Sequence, residues 1–145
     1  MNQVQTMKHA QGKKSRGFTV IELMIVLIII SILVVLAYPA YVDYVRKSRR
    51  GEAMQLLMNW SVNQEIWRSN NPEYATTAQL PAPTHANYTF TLPVRSATAF
   101  TLKAVGSGDQ ANDKAKDGTA CSTLNLNSAG QKYSGDNTAV LVCWD

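Results

Sequence analysis

One stretch near the start of the chain constrains what the rest can become. From Leu23 to Val42 there are 20 consecutive residues without a formal charge, enough to cross a bilayer core as a helix of about 30 Å. Gly17-Phe18-Thr19-Val20-Ile21-Glu22 stands just before it, and Glu22 is its one carboxylate. A charge held in lipid costs a few kcal/mol unless something pairs with it. Glu22 lies only about 6 Å along a helix from Phe18, so a tolerated charge near the interface is one reading. The other is a segment that sits in a membrane and later finds a partner for its carboxylate. A cleaved secretory signal has an apolar core of roughly 7–15 residues followed by a small-residue cut site. This run is longer, and a cut after it would discard the helix. An ordinary signal anchor has no need of Glu22.

The Gly-Phe-Thr-x-x-Glu spacing before such a run resembles the type III signal and N-terminal helix of type IV pilins. The likeness is close from Gly17 to about Trp67 and looser beyond. It implies that a prepilin peptidase cuts between Gly17 and Phe18, that Phe18 is then N-methylated, and that Glu22 is the fifth mature residue. The implied domains are a leader, 1–17, a membrane-spanning and filament-core half of the helix, 18–45, and a periplasmic or extracellular globular domain, 46–145. On this reading the methylated amine of Phe18 pairs in low dielectric with the Glu22 carboxylate of a neighbour, which sets the axial register of the fibre, or with Glu22 of its own chain.

The net charge of +4 is carried by the leader, whose Lys8, Lys13, Lys14 and Arg16 face no acid. Without it the chain is formally neutral, so bulk basicity makes no case for nucleic acid. The leader favours an N-in orientation, although Arg46, Lys47, Arg49 and Arg50 follow the run on its other side. The cytoplasmic cleavage implied by the resemblance decides for N-in. Cys121 and Cys143 then face an oxidising compartment, where a disulfide is expected, worth roughly 3 kcal/mol by chain entropy. A metal or redox pair has no Cys-x-x-Cys spacing to support it.

The helix is expected to continue past the membrane. Val45, Ala53, Leu56, Leu57, Trp60 and Trp67 recur on one face, and Asn70-Asn71-Pro72 ends the pattern because Pro72 disfavours αR at Asn71. Pro39 has no N–H for the carbonyl of Val35 and predicts a kink. Pilins commonly carry a proline there, and many have glycine where this chain has Ser31. Residues 72–87 read as a Pro- and Thr-rich linker. Tyr88–Leu92 and Ala99–Val105 alternate as strands, with a hairpin around Pro93 and Ser96. Gly106–Gly118 reads as a polar loop, Thr123–Leu126 as a strand with a turn at Asn127–Gly130, and Val140–Val142 as a last strand. The fold class is α+β: a long helix on a small antiparallel sheet of three or four strands, the pilin fold. The Cys121–Leu126 segment and the Cys143-Trp144 ending resemble a subgroup of minor type IVa pilins.

No catalytic, phosphate-cradling or metal-ligand constellation stands out, and no cofactor is expected. His85 reads as a surface residue of the linker. Asp109, Asp113 and Asp117 are spaced by four with Lys114 and Lys116 interleaved, unlike a calcium loop, and read as a solvated loop. For the run Arg46–Arg50 the first reading is snorkelling and solvation, the second pairing with Asp43, Glu52 or Glu65 of neighbouring subunits, and the weakest DNA contact. The resulting expectation is a structural subunit, a minor pilin stored in the inner membrane and extracted into a pilus serving motility, adhesion or DNA uptake. Its partners would be prepilin peptidase, other pilins, the inner-membrane assembly machinery and the bilayer. A type II secretion pseudopilin and a DNA-receptor competence pilin are the alternatives.

Overall fold

The computed structural model describes residues 17–135 and 141–144. The leader up to Arg16 and Val140, where part of the last strand was expected, lie outside them. The chain divides into two compact units, Met1–Ala37 and Tyr38–Asp145. One helix, α1 (Val20–Asn70), belongs to both.

In the first unit every residue from Val20 to Leu36 is exposed, on all faces of the helix. An apolar surface of that kind is complete only in lipid or against other helices.

In the second unit α1 is amphipathic. Its buried residues are Arg50, Ala53, Leu57, Trp60 and Gln64, alternating steps of three and four that keep one face inward. The helix stops at Asn70, as its sequence predicts. Asn71 Nδ2 donates to the Trp67 carbonyl at 2.8 Å and the Asn71 amide to the Arg68 carbonyl at 3.4 Å, which meets two of the last turn's free acceptors, and Arg68 Nη1 ties down the Asn71 carbonyl at 2.7 Å. Four strands follow, β1 (Tyr88–Arg95), β2 (Phe100–Gly106), β3 (Thr123–Asn127) and β4 (Lys132–Ser134), in an antiparallel meander of order β1-β2-β3-β4. Tyr88 and Phe90, then Phe100, Leu102 and Ala104, then Leu124 and Leu126 join Ala53, Leu57 and Trp60 in one core. The Tyr74 ring closes it edge-on to Phe100, 4.7 Å between centroids.

Two sequence expectations are corrected. Pro93 is inside β1 and not in the hairpin, which is made by Ser96 and Ala99. The register slips between Thr91 and Val94, and a bulge on an edge strand accommodates a residue with no N–H to give. The chain near Val142 forms a 3-10 turn, Val142–Trp144, and not a strand. The fourth strand is Lys132–Ser134, too short to show alternation. The turn before it is as expected: Asn127 Oδ1 accepts from the amides of Ala129 and Gln131, and Gly130 takes φ 74°.

Gln64 is the residue on which the helix-to-sheet connection hangs. Fully buried, it receives the Ala75 amide on Oε1 at 2.9 Å and donates from Nε2 to the Ala75 carbonyl at 3.2 Å. Replacing Gln64 with Leu strands both backbone groups away from water, and is expected to cost about 2–3 kcal/mol in urea unfolding of the unit Tyr38–Asp145.

Candidate functional site

The start of α1 is locally organised. Thr19 and Glu22 make a reciprocal cap: the Glu22 amide donates to Thr19 Oγ1 at 3.3 Å, and the Thr19 amide to Glu22 Oε2 at 3.5 Å. This is the Thr-x-x-Glu capping box. Glu22 thus satisfies an otherwise unpaired helix-end donor within its own chain. Gly17 and Phe18 precede the cap, exposed.

A second cluster forms where the basic run meets the chain after β2. Arg46 binds Asp109 through Nε (3.1 Å) and Nη2, and Asp43 through Nη1 at 3.2 Å. One turn on, Arg50 Nη1 binds Asp113 Oδ2 at 3.1 Å, with both side chains buried. The rungs match because Arg46 and Arg50 are four apart on α1, and Asp109 and Asp113 four apart across the 3-10 helix Gly108–Asn112. Gln110 sits between them, Nε2 donating to the Arg46 carbonyl and to Tyr88 Oη, each at 3.0 Å.

The electrostatics of the rungs differ. At the exposed one, hydrogen bonding to Arg46 holds the Asp109 carboxyl below its ordinary value. At the buried one, loss of hydration pushes Asp113 up against the pull of Arg50. Burial also pushes the Tyr88 phenol up to about 12 from 10.0. A neutral phenol in the fold holds its proton longer than in the unfolded chain, so stability should fall as pH rises from 10 toward 12. Thermal unfolding of Tyr88→Phe across that window should lose part of the slope, Tyr74, also raised by burial, carrying the rest.

These contacts correct the lipid-snorkelling reading for Arg46 and Arg50, and the solvated-loop reading for Asp109 and Asp113. Two arginines and two aspartates are paired within the chain, and Asp117 accepts from the Thr119 amide at 2.9 Å. The carboxylates assigned to neighbouring subunits have partners at home. Asp43 binds Arg46, Glu52 takes His85 Nε2 at 3.0 Å, and Glu65 accepts from Tyr74 Oη at 3.0 Å. His85 is therefore no free loop residue: its Nδ1 accepts the Asn87 amide at 3.1 Å. The signal for the rungs, equal spacing in two distant segments, is present in the sequence but is not periodic.

A cleft of about 880 Å³ lies between α1 and the loop after the 3-10 helix. Arg46, Lys47 and Arg50 form one wall, Lys114 and Lys116 the other, with Asp43 the one carboxylate among the described residues that line it. Among the described residues Lys47, Lys114 and Lys116 enter no ion pair, and all three are exposed. The far end of the loop is tied down by the Cys121–Cys143 disulfide and by the Cys121 amide donating to the Asp113 carbonyl at 2.9 Å.

A 51-residue N-terminal helix, apolar all round at first and then amphipathic under a four-stranded antiparallel meander, defines a pilin. Comparison with known proteins agrees. The chain is similar to a type IV pilin from Shewanella oneidensis at 27% identity, over 69% of this chain and 98% of that one, with a TM-score of 0.52. It also shares its fold with the Neisseria meningitidis non-core minor pilin PilV (16% identity, 68% and 96% covered, TM-score 0.52). The prokaryotic N-terminal methylation motif matches residues 12–38. The family described as type IV minor pilin ComP, DNA uptake sequence receptor, matches residues 39–125, more than half of the chain, and the protein belongs to that family. No curated protein sequence matches it significantly.

Proposed function

We propose that this minor pilin serves as a DNA receptor of a type IV pilus, with duplex phosphates held in the Lys47–Lys114–Lys116 cleft. The observation that carries the reading is the family match over residues 39–125, which contains all three lysines. The neutral mature charge is no obstacle, because affinity for a polyanion depends on where charges stand. Here the acids are spent on Arg46 and Arg50, which leaves lysines on both walls.

The same reading places the leader, 1–17, in the cytoplasm and cleaves it between Gly17 and Phe18. Phe18 is then N-methylated, and the segment 18–45 holds the subunit in the inner membrane until assembly. The N-terminal apolar helix suits that anchoring. At Pro39 the missing N–H leaves the Val35 carbonyl without its helical donor, the place where the helix would give way on assembly.

Gel shifts of the unit Tyr38–Asp145 with duplex DNA at several salt concentrations test it. Binding should weaken steeply with salt, and Lys114→Gln/Lys116→Gln should flatten the log–log slope by about 1.8, the value of two phosphate contacts. Salt-insensitive binding, or an unchanged slope, would count against the cleft. A membrane-stored subunit that is cleaved but absent from sheared pili would revive the pseudopilin alternative.

A further inference from the structure

Cations on the far side of a span run against their usual distribution around a membrane. Tertiary structure neutralises two of them, Arg46 and Arg50, with Asp109 and Asp113. Lys47 has no such partner among the described residues, and it lines the same cleft as Lys114 and Lys116. Three tyrosines precede it at helical spacing, Tyr38, Tyr41 and Tyr44, which are 65%, 65% and 74% exposed. Tyr44 lines the cleft itself. Rings with one apolar body and one hydroxyl, at the end of an apolar run, have the character of an interfacial belt. Along the helix Lys47 stands about 7.5 Å beyond Val42, at the outer edge of the headgroup layer of roughly 5–7.5 Å on each side of the hydrocarbon. The mouth of the cleft is thus brought by its own helix to the depth where lipid phosphates lie, and its size admits a headgroup.

We infer that, while the subunit is stored in the membrane, this cleft takes the phosphate of an anionic phospholipid headgroup between Lys47 and the loop lysines 114 and 116. A zwitterionic headgroup carries its own cation and competes poorly with three ammonium groups, so the site prefers anionic lipid. The inference rests on the reading of the cleft as a phosphate site, and adds a regulation to it. Lipid and DNA phosphates exclude each other there, so DNA capture is reserved for subunits drawn out of the bilayer.

The test uses the full mature chain in nanodiscs of phosphatidylcholine alone, and of equal parts phosphatidylcholine and phosphatidylglycerol. Acylation rates of Lys47, Lys114 and Lys116 are read by mass spectrometry against Lys132 as internal control. Phosphatidylglycerol should slow the three by about fivefold, the factor one cation at an anionic surface is worth. It should also abolish the protection that duplex DNA gives in phosphatidylcholine discs. Lys114→Gln/Lys116→Gln, at two exposed positions, should remove the slowing at Lys47. Equal rates in the two discs overturn the inference. So does protection by inorganic phosphate in phosphatidylcholine discs that matches phosphatidylglycerol, which would make the site one for free anions. Protection by phosphatidylglycerol but never by DNA supports the lipid site and removes DNA from the cleft. Protection by DNA but not by phosphatidylglycerol does the reverse.

Discussion

Glu22→Gln is expected to leave the protein in the membrane and keep it out of the fibre, by about tenfold or more. Glu22 has two physical roles to separate. Within its own chain it caps α1 through Thr19, and glutamine at the same helix position caps equally well. Its charge is the other role. In an assembled bundle of apolar helices an N-terminal ammonium without a carboxylate costs a few kcal/mol, and each 1.4 kcal/mol is tenfold in the bound fraction. Glu22→Gln therefore preserves the cap and removes only the charge, while Glu22→Ala removes both. Quantifying both variants in membranes and in sheared pili decides the matter. A charge role predicts equal exclusion of the two from fibres. Normal incorporation of Gln with exclusion of Ala would reduce Glu22 to a helix cap, and normal incorporation of both would end its assembly role.

Arg50→Met is expected to be among the most destabilising single changes in the globular unit, about 3–5 kcal/mol. It leaves Asp113, 2% exposed, with its charge buried and no guanidinium beside it. The double change Arg50→Met/Asp113→Leu removes both charges and should recover most of the loss, because a buried pair roughly offsets its own desolvation. The pH dependence has a definite sign. Asp113 already titrates above its ordinary value, so the fold binds its proton more tightly than the unfolded chain does, and stability falls as pH rises through that window. Without Arg50 its carboxyl rises further, so the defect of Arg50→Met should shrink on acidification. Asp109, lowered by Arg46, works in the opposite sense, contributing stability above the ordinary carboxylate range that is lost as pH falls. Urea titrations of the single and double variants at neutral and acidic pH would show both effects. A double variant as unstable as Arg50→Met would mean that the pair matters for packing and not for charge.

Periodic patterns were readable without a structure, because they report a local geometry. The 20-residue uncharged run, the end of α1 at Asn70, the alternation of Phe100, Leu102 and Ala104 in β2 and the Asn127–Gly130 turn each follow from a few neighbouring residues. The Thr19–Glu22 capping box was equally local, yet it was recognised only in the structure. The cleft was not legible. Its walls come from segments more than 60 residues apart, joined by Arg46–Asp109 and Arg50–Asp113. The run that holds Arg50 reads as a solvated face until Asp113 is opposite it, and nothing beside Gln64 in the sequence points to Ala75, its partner in the fold. Whether a polar side chain is buried depends on the partner that meets it, since burial without one costs more than a fold can spare. Sequence by itself determined where this chain is apolar, where its helix starts and stops, and the kind of fibre subunit it is. Only the tertiary structure decided which of its charges are spent inside the fold and which are left over to bind something else, because charge pairing across a long loop leaves no periodic trace in the residues on either side.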